Sequence, residues 1–151
     1  MRQGHQAPDF ELPDENGTPR RLSDFLAKGP VVLYFYPAAM TPVCTAESCH
    51  FRDLKSEFEA LGATRVGVSI DKVDKQKRFS EKYDFDFPLL SDSDAVVARA
   101  FGVHRNIGPL PTKRTTFVIG ADGKVLEVIK SELRMSVHAD KALEALRRPA
   151  A

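Results

Sequence analysis

The chain has 151 residues, a formal net charge of +1 and 42% hydrophobic residues, which fits one ordinary globular domain, residues 1–151. No block of like charges is long enough to indicate a nucleic-acid or membrane surface, so we expect a small molecule or another protein as partner. The longest apolar run, at 31–36, is far shorter than the roughly 20 residues of a membrane span. The first nine residues contain no stretch typical of a signal peptide, and we expect a cytoplasmic protein.

The first half of the chain predicts a hairpin, two buried strands and a long helix between them. The hairpin is expected at 9–17, where an alternating segment meets an Asn-Gly turn. The continuous apolar runs at 31–36 and 66–70 predict strands that are buried on both faces of a sheet. Apolar residues at spacings of three and four predict a single helix over 41–61.

The second half predicts further helices, a short strand and a second hairpin. In chain order these are a helix at 74–83, a strand at 89–90, a helix at 95–101, strands at 115–119 and 124–129 around an Asp-Gly turn, and a helix that uses Val137, Leu143 and Leu146. This order predicts an α/β fold with a central mixed β-sheet flanked by helices and an N-terminal β-hairpin. A thioredoxin-like topology fits that arrangement.

Cys44 is expected in the first turn of the helix that follows the buried strand at 31–36. Thr41 can act as the N-cap, and Pro42 takes the first helical position, where its missing N–H costs nothing. The free backbone N–H groups and the helix dipole at this end favour a thiolate over a thiol. A strand-to-helix turn also lies at the carboxyl end of the sheet, where open α/β folds form their ligand crevices. Cys44 could be a small buried hydrophobe instead, but these features together favour a functional thiolate.

Cys49 follows Cys44 by five positions. On an unbroken helix the two Cα atoms would be about 8–9 Å apart, and the side chains would point about 140° away from each other. A disulfide tolerates a Cα separation of at most about 7 Å. Either Cys49 is only a packed residue, or the protein alternates between a folded reduced state and a locally unwound oxidised state. The spacing alone leaves both interpretations open.

A family resemblance is carried by Pro37-x-x-x-Thr41-x-x-Cys44 and its continuation Cys44-Thr45-x-Glu47. This pattern resembles the peroxidatic motif of the peroxiredoxins, and it is much more specific than a lone pair of cysteines. Further segments extend the resemblance over nearly the whole chain, at 7–10, 35–37, 89–92, 101–103 and 114–119.

The resemblance implies a role for each residue of the motif. Cys44 would be the peroxidatic thiolate, which attacks one oxygen of a peroxide and becomes a sulfenic acid. Thr41 would hydrogen-bond the peroxide, and Pro37 would shield the thiolate from water. Arg114 would hold the thiolate and polarise the leaving oxygen, which suits its permanent charge and fork of donors.

The second cysteine is similar to that of the bacterioferritin-comigratory-protein (PrxQ) subfamily. Cys49 would then be the resolving thiol, forming an intramolecular disulfide that a thioredoxin or glutaredoxin-like reductant opens. The implied substrates are hydrogen peroxide and organic hydroperoxides. Val43 departs from the subfamily, which often has Gly there, but other peroxiredoxins carry Val. An intramolecular disulfide needs no second copy, so we expect a monomer, with a dimer left open.

Simpler interpretations remain for several of these residues. Taken alone, Arg114 is typical of a solvated charge at the start of a strand, because arginine is usually exposed. Thr41 could be a plain N-cap and Glu47 a charge on the helix surface. Neither of the alternatives for Thr41 and Glu47 excludes a catalytic role as well.

The cysteines and histidines also allow three other interpretations, namely a metal site, a Cys-His hydrolase and a redox sensor. The four histidines are scattered, and with the cysteines they do not match the spacing of a zinc site, so we expect no metal and no cofactor. A Cys-His hydrolase would need a histidine paired with Cys44, and the sequence singles out none. A non-enzymatic thiol redox sensor or relay would use the same residues, but it would react once and would not turn over.

Overall fold

The computed structural model describes residues 1–105, 108 and 110–148. Its elements are β1 (Glu11–Pro13), β2 (Pro19–Arg21), α1 (Leu22–Leu26), β3 (Val31–Phe35), α2 (Pro42–Asp53), α3 (Lys55–Ala60), β4 (Thr64–Ser69), α4 (Val73–Tyr83), β5 (Leu89–Ser91), α5 (Val96–Ala100), β6 (Thr115–Ile119), β7 (Val125–Lys130) and α6 (Met135–Arg147). Within this described part, no helix has the length and apolar character needed to cross a membrane.

The central sheet has five strands in the order β5-β4-β3-β6-β7. β3 and β5 each run parallel to β4, whereas β6 runs antiparallel to both β3 and β7. β1 and β2 form a separate antiparallel hairpin. The predicted mixed sheet and N-terminal hairpin are therefore confirmed.

β3 lies at the centre of the sheet, and all five of its residues are buried. Its side chains alternate between two apolar clusters, because successive residues of a strand point to opposite faces. Even-numbered residues such as Tyr34 join the cluster that α2, α3, α4 and α6 cover. Odd-numbered residues such as Phe35 join the cluster that α1 and α5 cover. α2, which carries Cys44, thus lies on the same face of the sheet as α6.

The single helix predicted over 41–61 is wrong, because the structure divides it at Leu54. This residue has φ −95° and ψ 23° and separates α2 from α3. Near the break, Arg65 of β4 donates a hydrogen bond from Nη1 to the carbonyl oxygen of Phe51 (2.8 Å). Such a donor satisfies a carbonyl at a helix end. The apolar spacing continues across the break and therefore could not reveal it. The hairpin predicted at 9–17 extends further, over 11–21, and the other strands and helices with predicted bounds lie within two residues of them.

Candidate active site

The turn between β3 and α2 places Cys44 in the first helical turn. Thr41 occupies the N-cap with φ −82° and ψ 152°, and Pro42 follows at the first helical position. The predicted N-cap position is confirmed, but the Thr41 hydroxyl makes no capping hydrogen bond and donates instead to the carbonyl oxygen of Ala38 (2.7 Å). The hydroxyl is thereby held within the turn, and α2 begins without a side-chain cap.

Residues at the end of β4 and just after it hold the same turn in place. The backbone N–H of Ala39 donates to Oδ2 of Asp71 (2.7 Å), and the Ser69 hydroxyl donates to the same oxygen (2.7 Å). Met40 adopts a positive φ of 69°, which is unfavourable for a residue with a side chain. Pro37 is buried at the start of this turn. These contacts fix the backbone that leads into α2.

Arg114 reaches Cys44 from β6. It directly precedes Thr115, which lies opposite Phe35 at the end of β3, so the topology brings Arg114 to the sheet edge where α2 begins. Its Nη2 donates to the Sγ of Cys44 over 3.2 Å. Both residues are buried, with 3% and 1% exposure. The interpretation of Arg114 as a solvated charge is therefore wrong.

Glu47 is fully buried beside the same arginine. It follows Cys44 by three positions, so both side chains lie on one face of α2. Nη1 of Arg114 donates to its Oε1 over 2.8 Å. Burial raises the pKa of Glu47 to about 8, although Arg114 opposes this rise. Burial disfavours the charge of Arg114, but Glu47 and Cys44 together raise the arginine's pKa. The interpretation of Glu47 as a surface charge is wrong.

His138 of α6 completes this buried group, and the sequence did not single it out. Its Nε2 lies 3.5 Å from Oε2 of Glu47 and 2.8 Å from the carbonyl oxygen of Ser131. Its Nδ1 lies 2.7 Å from the hydroxyl of Thr116. A carbonyl only accepts, so Nε2 carries the proton and Nδ1 accepts from the hydroxyl. Burial lowers the pKa of His138, which favours this neutral form.

The second residue that the sequence missed is Glu132. Its Oε1 accepts hydrogen bonds from the backbone N–H of Arg114 (3.0 Å) and from Nη2 of Arg105 (2.8 Å). It therefore holds the main chain that carries the arginine. Nothing in the local pattern around Glu132 distinguishes it from an ordinary loop carboxylate.

Cys49 lies on α2 with Cys44, and both cysteines are free thiols. Cys49 is half-buried against the apolar cluster beneath α2. Burial raises the pKa of Cys49, and Arg52 partly opposes this. α2 is continuous from Pro42 to Asp53, so the helical geometry keeps the two sulfurs apart until part of the helix unwinds.

A family model for the AhpC/TSA family matches residues 3–128. The chain belongs to the AhpC/TSA family. Peroxiredoxin Bcp of Bacillus subtilis (strain 168) is 38% identical over 149 residues, with 95% of this chain and 94% of the relative covered.

Two solved structures extend the likeness to the fold. Peroxidoxin BcpB from Mycobacterium tuberculosis superposes with a TM-score of 0.94 at 60% identity, covering 97% of each chain. The bacterioferritin comigratory protein of Xanthomonas campestris superposes with a TM-score of 0.83 at 36% identity, covering 91% of this chain and 90% of the other. The thioredoxin-like fold and the Bcp/PrxQ resemblance are thereby confirmed. The family supports a thiol-dependent peroxidase over a non-enzymatic redox sensor.

Proposed function

We propose that this thiol-dependent peroxidase uses Cys44 as its peroxidatic thiolate. The observation that carries the assignment is the 3.2 Å contact between Nη2 of Arg114 and the Cys44 Sγ at the start of α2. A charge-assisted donor and a helix N-terminus both stabilise negative charge on sulfur. Cys49 is the less favoured candidate, because burial raises its pKa and disfavours its thiolate form.

In the first step the Cys44 thiolate attacks one oxygen of the peroxide. The S–O bond forms as the O–O bond breaks, giving a sulfenic acid and an alkoxide or hydroxide that takes up a proton. Arg114 stabilises the negative charge as it moves from sulfur to the leaving oxygen. Thr41 orients the peroxide through its hydroxyl, and Pro37 excludes water from the thiolate.

In the second step Cys49 attacks the sulfenic acid of Cys44, giving a disulfide and releasing water. The first turns of α2 unwind to allow this, because a helix cannot bring the two sulfurs together. A thioredoxin or glutaredoxin-like protein then reduces the disulfide by thiol–disulfide exchange.

The proposed substrates are hydrogen peroxide and organic hydroperoxides. The Xanthomonas campestris relative was solved in connection with its alkyl peroxide reduction activity, which supports the second class. We place this activity in the cytoplasm, in a monomeric protein whose residues 1–151 act as one domain. A dimer is compatible with the same chemistry, and neither nucleic acid nor membrane takes part.

The test is a steady-state assay with hydrogen peroxide and one alkyl hydroperoxide, each with a purified thioredoxin and a purified glutaredoxin as reductant. We expect catalytic turnover of both peroxides with at least one reductant. Stoichiometric reaction without turnover under every combination would instead indicate a sensor.

A further inference from the structure

Two acidic groups share one buried arginine. Arg114 donates from Nη2 to the Cys44 Sγ (3.2 Å) and from Nη1 to Oε1 of Glu47 (2.8 Å). If Cys44 and Glu47 were both ionised, the single positive charge would leave one negative charge uncompensated. Such a buried, unpaired charge is costly, and a group in this position takes up a proton instead.

The second oxygen of Glu47 supports the same conclusion. Oε2 is buried and has no hydrogen-bond partner in the described part of the chain. An ionised carboxylate oxygen in this position would lose its hydration without compensation, whereas a protonated one loses less.

The groups that face Glu47 supply no second cation. His138 on α6 is 3.5 Å from Oε2, but its Nε2–H is directed to the carbonyl oxygen of Ser131 at 2.8 Å, and the ring is neutral. Glu132 adds negative charge nearby and disfavours ionisation of Glu47. On the sheet side, the phenol of Tyr34 is neutral and donates to the Ser48 hydroxyl.

We propose that Glu47 holds a proton while Cys44 is a thiolate and releases it when the sulfur is oxidised. This inference rests on the proposed function and deepens it. The pKa of Glu47, raised to about 8 by burial, is consistent with a protonated carboxyl at neutral pH. Oxidation removes the negative charge from sulfur, and Arg114 is then free to stabilise the Glu47 carboxylate.

The step balances without any further reactant. The Cys44 thiolate, the hydroperoxide and the Glu47 carboxylic acid give the Cys44 sulfenic acid, the alcohol (or water) and the Glu47 carboxylate. Sulfur is oxidised by two electrons as the O–O bond is reduced. The proton that Glu47 releases balances the proton that the leaving oxygen takes up, so the protein draws none from the solvent.

The direct test is infrared difference spectroscopy of the Cys49→Ser protein at neutral pH, before and after one equivalent of hydrogen peroxide. We expect the C=O stretching band of one buried carboxylic acid to disappear as the sulfenic acid forms. Cys44→Ser should show no change, and Glu47→Gln should lack the band. Sulfenic acid formation with no loss of an acid band overturns the proposal. Mass spectrometry that detects no sulfenic acid at all overturns the proposed function instead.

A second measurement needs no substitution of Glu47 and therefore does not depend on how that variant folds. Proton uptake by the Cys49→Ser protein is followed in weak buffer during a single turnover, after ultraviolet absorbance has shown the Cys44 thiolate. We expect no net uptake, whereas uptake of one proton per protein, or no thiolate absorbance at neutral pH, contradicts the proposal.

The assignment of the acid band to Glu47 has its own spectroscopic check, because His138 lies 3.5 Å from Oε2. His138→Phe removes the polar neighbour of Oε2 and should shift the frequency of the acid band. His50→Phe, on α2 but paired with Asp140 over 2.8 Å, should leave the frequency unchanged. An unshifted band in His138→Phe would contradict the assignment of the band to Glu47.

Discussion

Nη2 of Arg114 lies 3.2 Å from the Sγ of Cys44, although the two residues are 70 positions apart in the sequence. The contact arises because β6 begins where the antiparallel β3 ends, with Thr115 opposite Phe35. The residue before β6 and the helix after β3 therefore meet at one edge of the sheet. This relationship makes the arginine part of the thiolate's surroundings.

Replacing Arg114 with Lys should lower the rate of Cys44 oxidation. The substitution keeps a positive charge but removes the two-pronged donor that contacts sulfur and Glu47 together. Loss of one such donor typically costs a factor of about 10²–10³ in rate. The second-order rate constant with hydrogen peroxide measures it. Lys113→Ala removes the adjacent, exposed cation and should have little effect; equal losses in both variants would point to a general charge effect.

Replacing Thr41 with Val should slow the reaction with peroxide while leaving the fold intact. Val has nearly the same shape, but it lacks the hydroxyl that the turn holds through its bond to Ala38. We expect the rate constant with peroxide to fall about tenfold or more, because one hydrogen bond contributes about 1.4 kcal/mol. Thr41→Ser keeps the hydroxyl and is the matched control. A Val variant with the rate constant of the native protein would exclude this role.

The stability of the reduced protein should depend on pH through Glu47. Its pKa is raised from 4.5 in the unfolded chain to about 8 in the folded protein, so the folded state binds the proton more tightly. The Glu47 contribution is then fully present below pH 4.5 and is lost as the pH rises to about 8. Urea unfolding at a series of pH values should show this decline. Glu47→Gln should remove this decline, whereas Glu144→Gln, a change at an exposed residue, should retain it. The same dependence of the free energy of unfolding on pH in all three proteins would contradict the raised pKa of Glu47.

Oxidation of the native protein should reduce its helix content. A Cys44–Cys49 disulfide cannot form within α2, so the residues between the cysteines must leave the helix. Far-ultraviolet circular dichroism before and after one equivalent of peroxide measures the change. The Cys49→Ser protein should accumulate a sulfenic acid, keep its helix and fail to be recycled through the disulfide. Unchanged helicity in a native protein with a confirmed disulfide would contradict the unwinding.

Local patterns in the sequence predicted those parts of the site that depend on neighbours along the chain. The positions of Thr41 and Cys44 at the start of a helix follow from a cap residue, a proline and a preceding apolar strand. The break at Leu54 was not predicted, because the apolar spacing is the same in one helix and in two. The sequence also could not show that the Thr41 hydroxyl binds a loop carbonyl and not the helix.

The sequence patterns could not predict contacts between elements that are far apart in the sequence. The sequence allows Glu47 to be a surface charge. Only the packing of α6 and β6 against α2 shows that it is buried and paired with Arg114. His138 carried a partial signal, because it falls on the same stripe of α6 as the buried residues Ala142 and Ala145. A polar residue in an apolar stripe indicates a buried hydrogen-bonding group. Its partner, however, is known only once the helices are packed.

The central claim is that the Cys44 sulfur reacts with the peroxide and takes up one of its oxygen atoms. Stopped-flow peroxide consumption combined with mass spectrometry tests this claim most directly. The native protein should consume hydrogen peroxide, and the Cys49→Ser protein should gain one oxygen atom on Cys44. Cys44→Ser should consume none above the uncatalysed rate. A Cys44→Ser protein that consumes peroxide at the native rate would contradict the account.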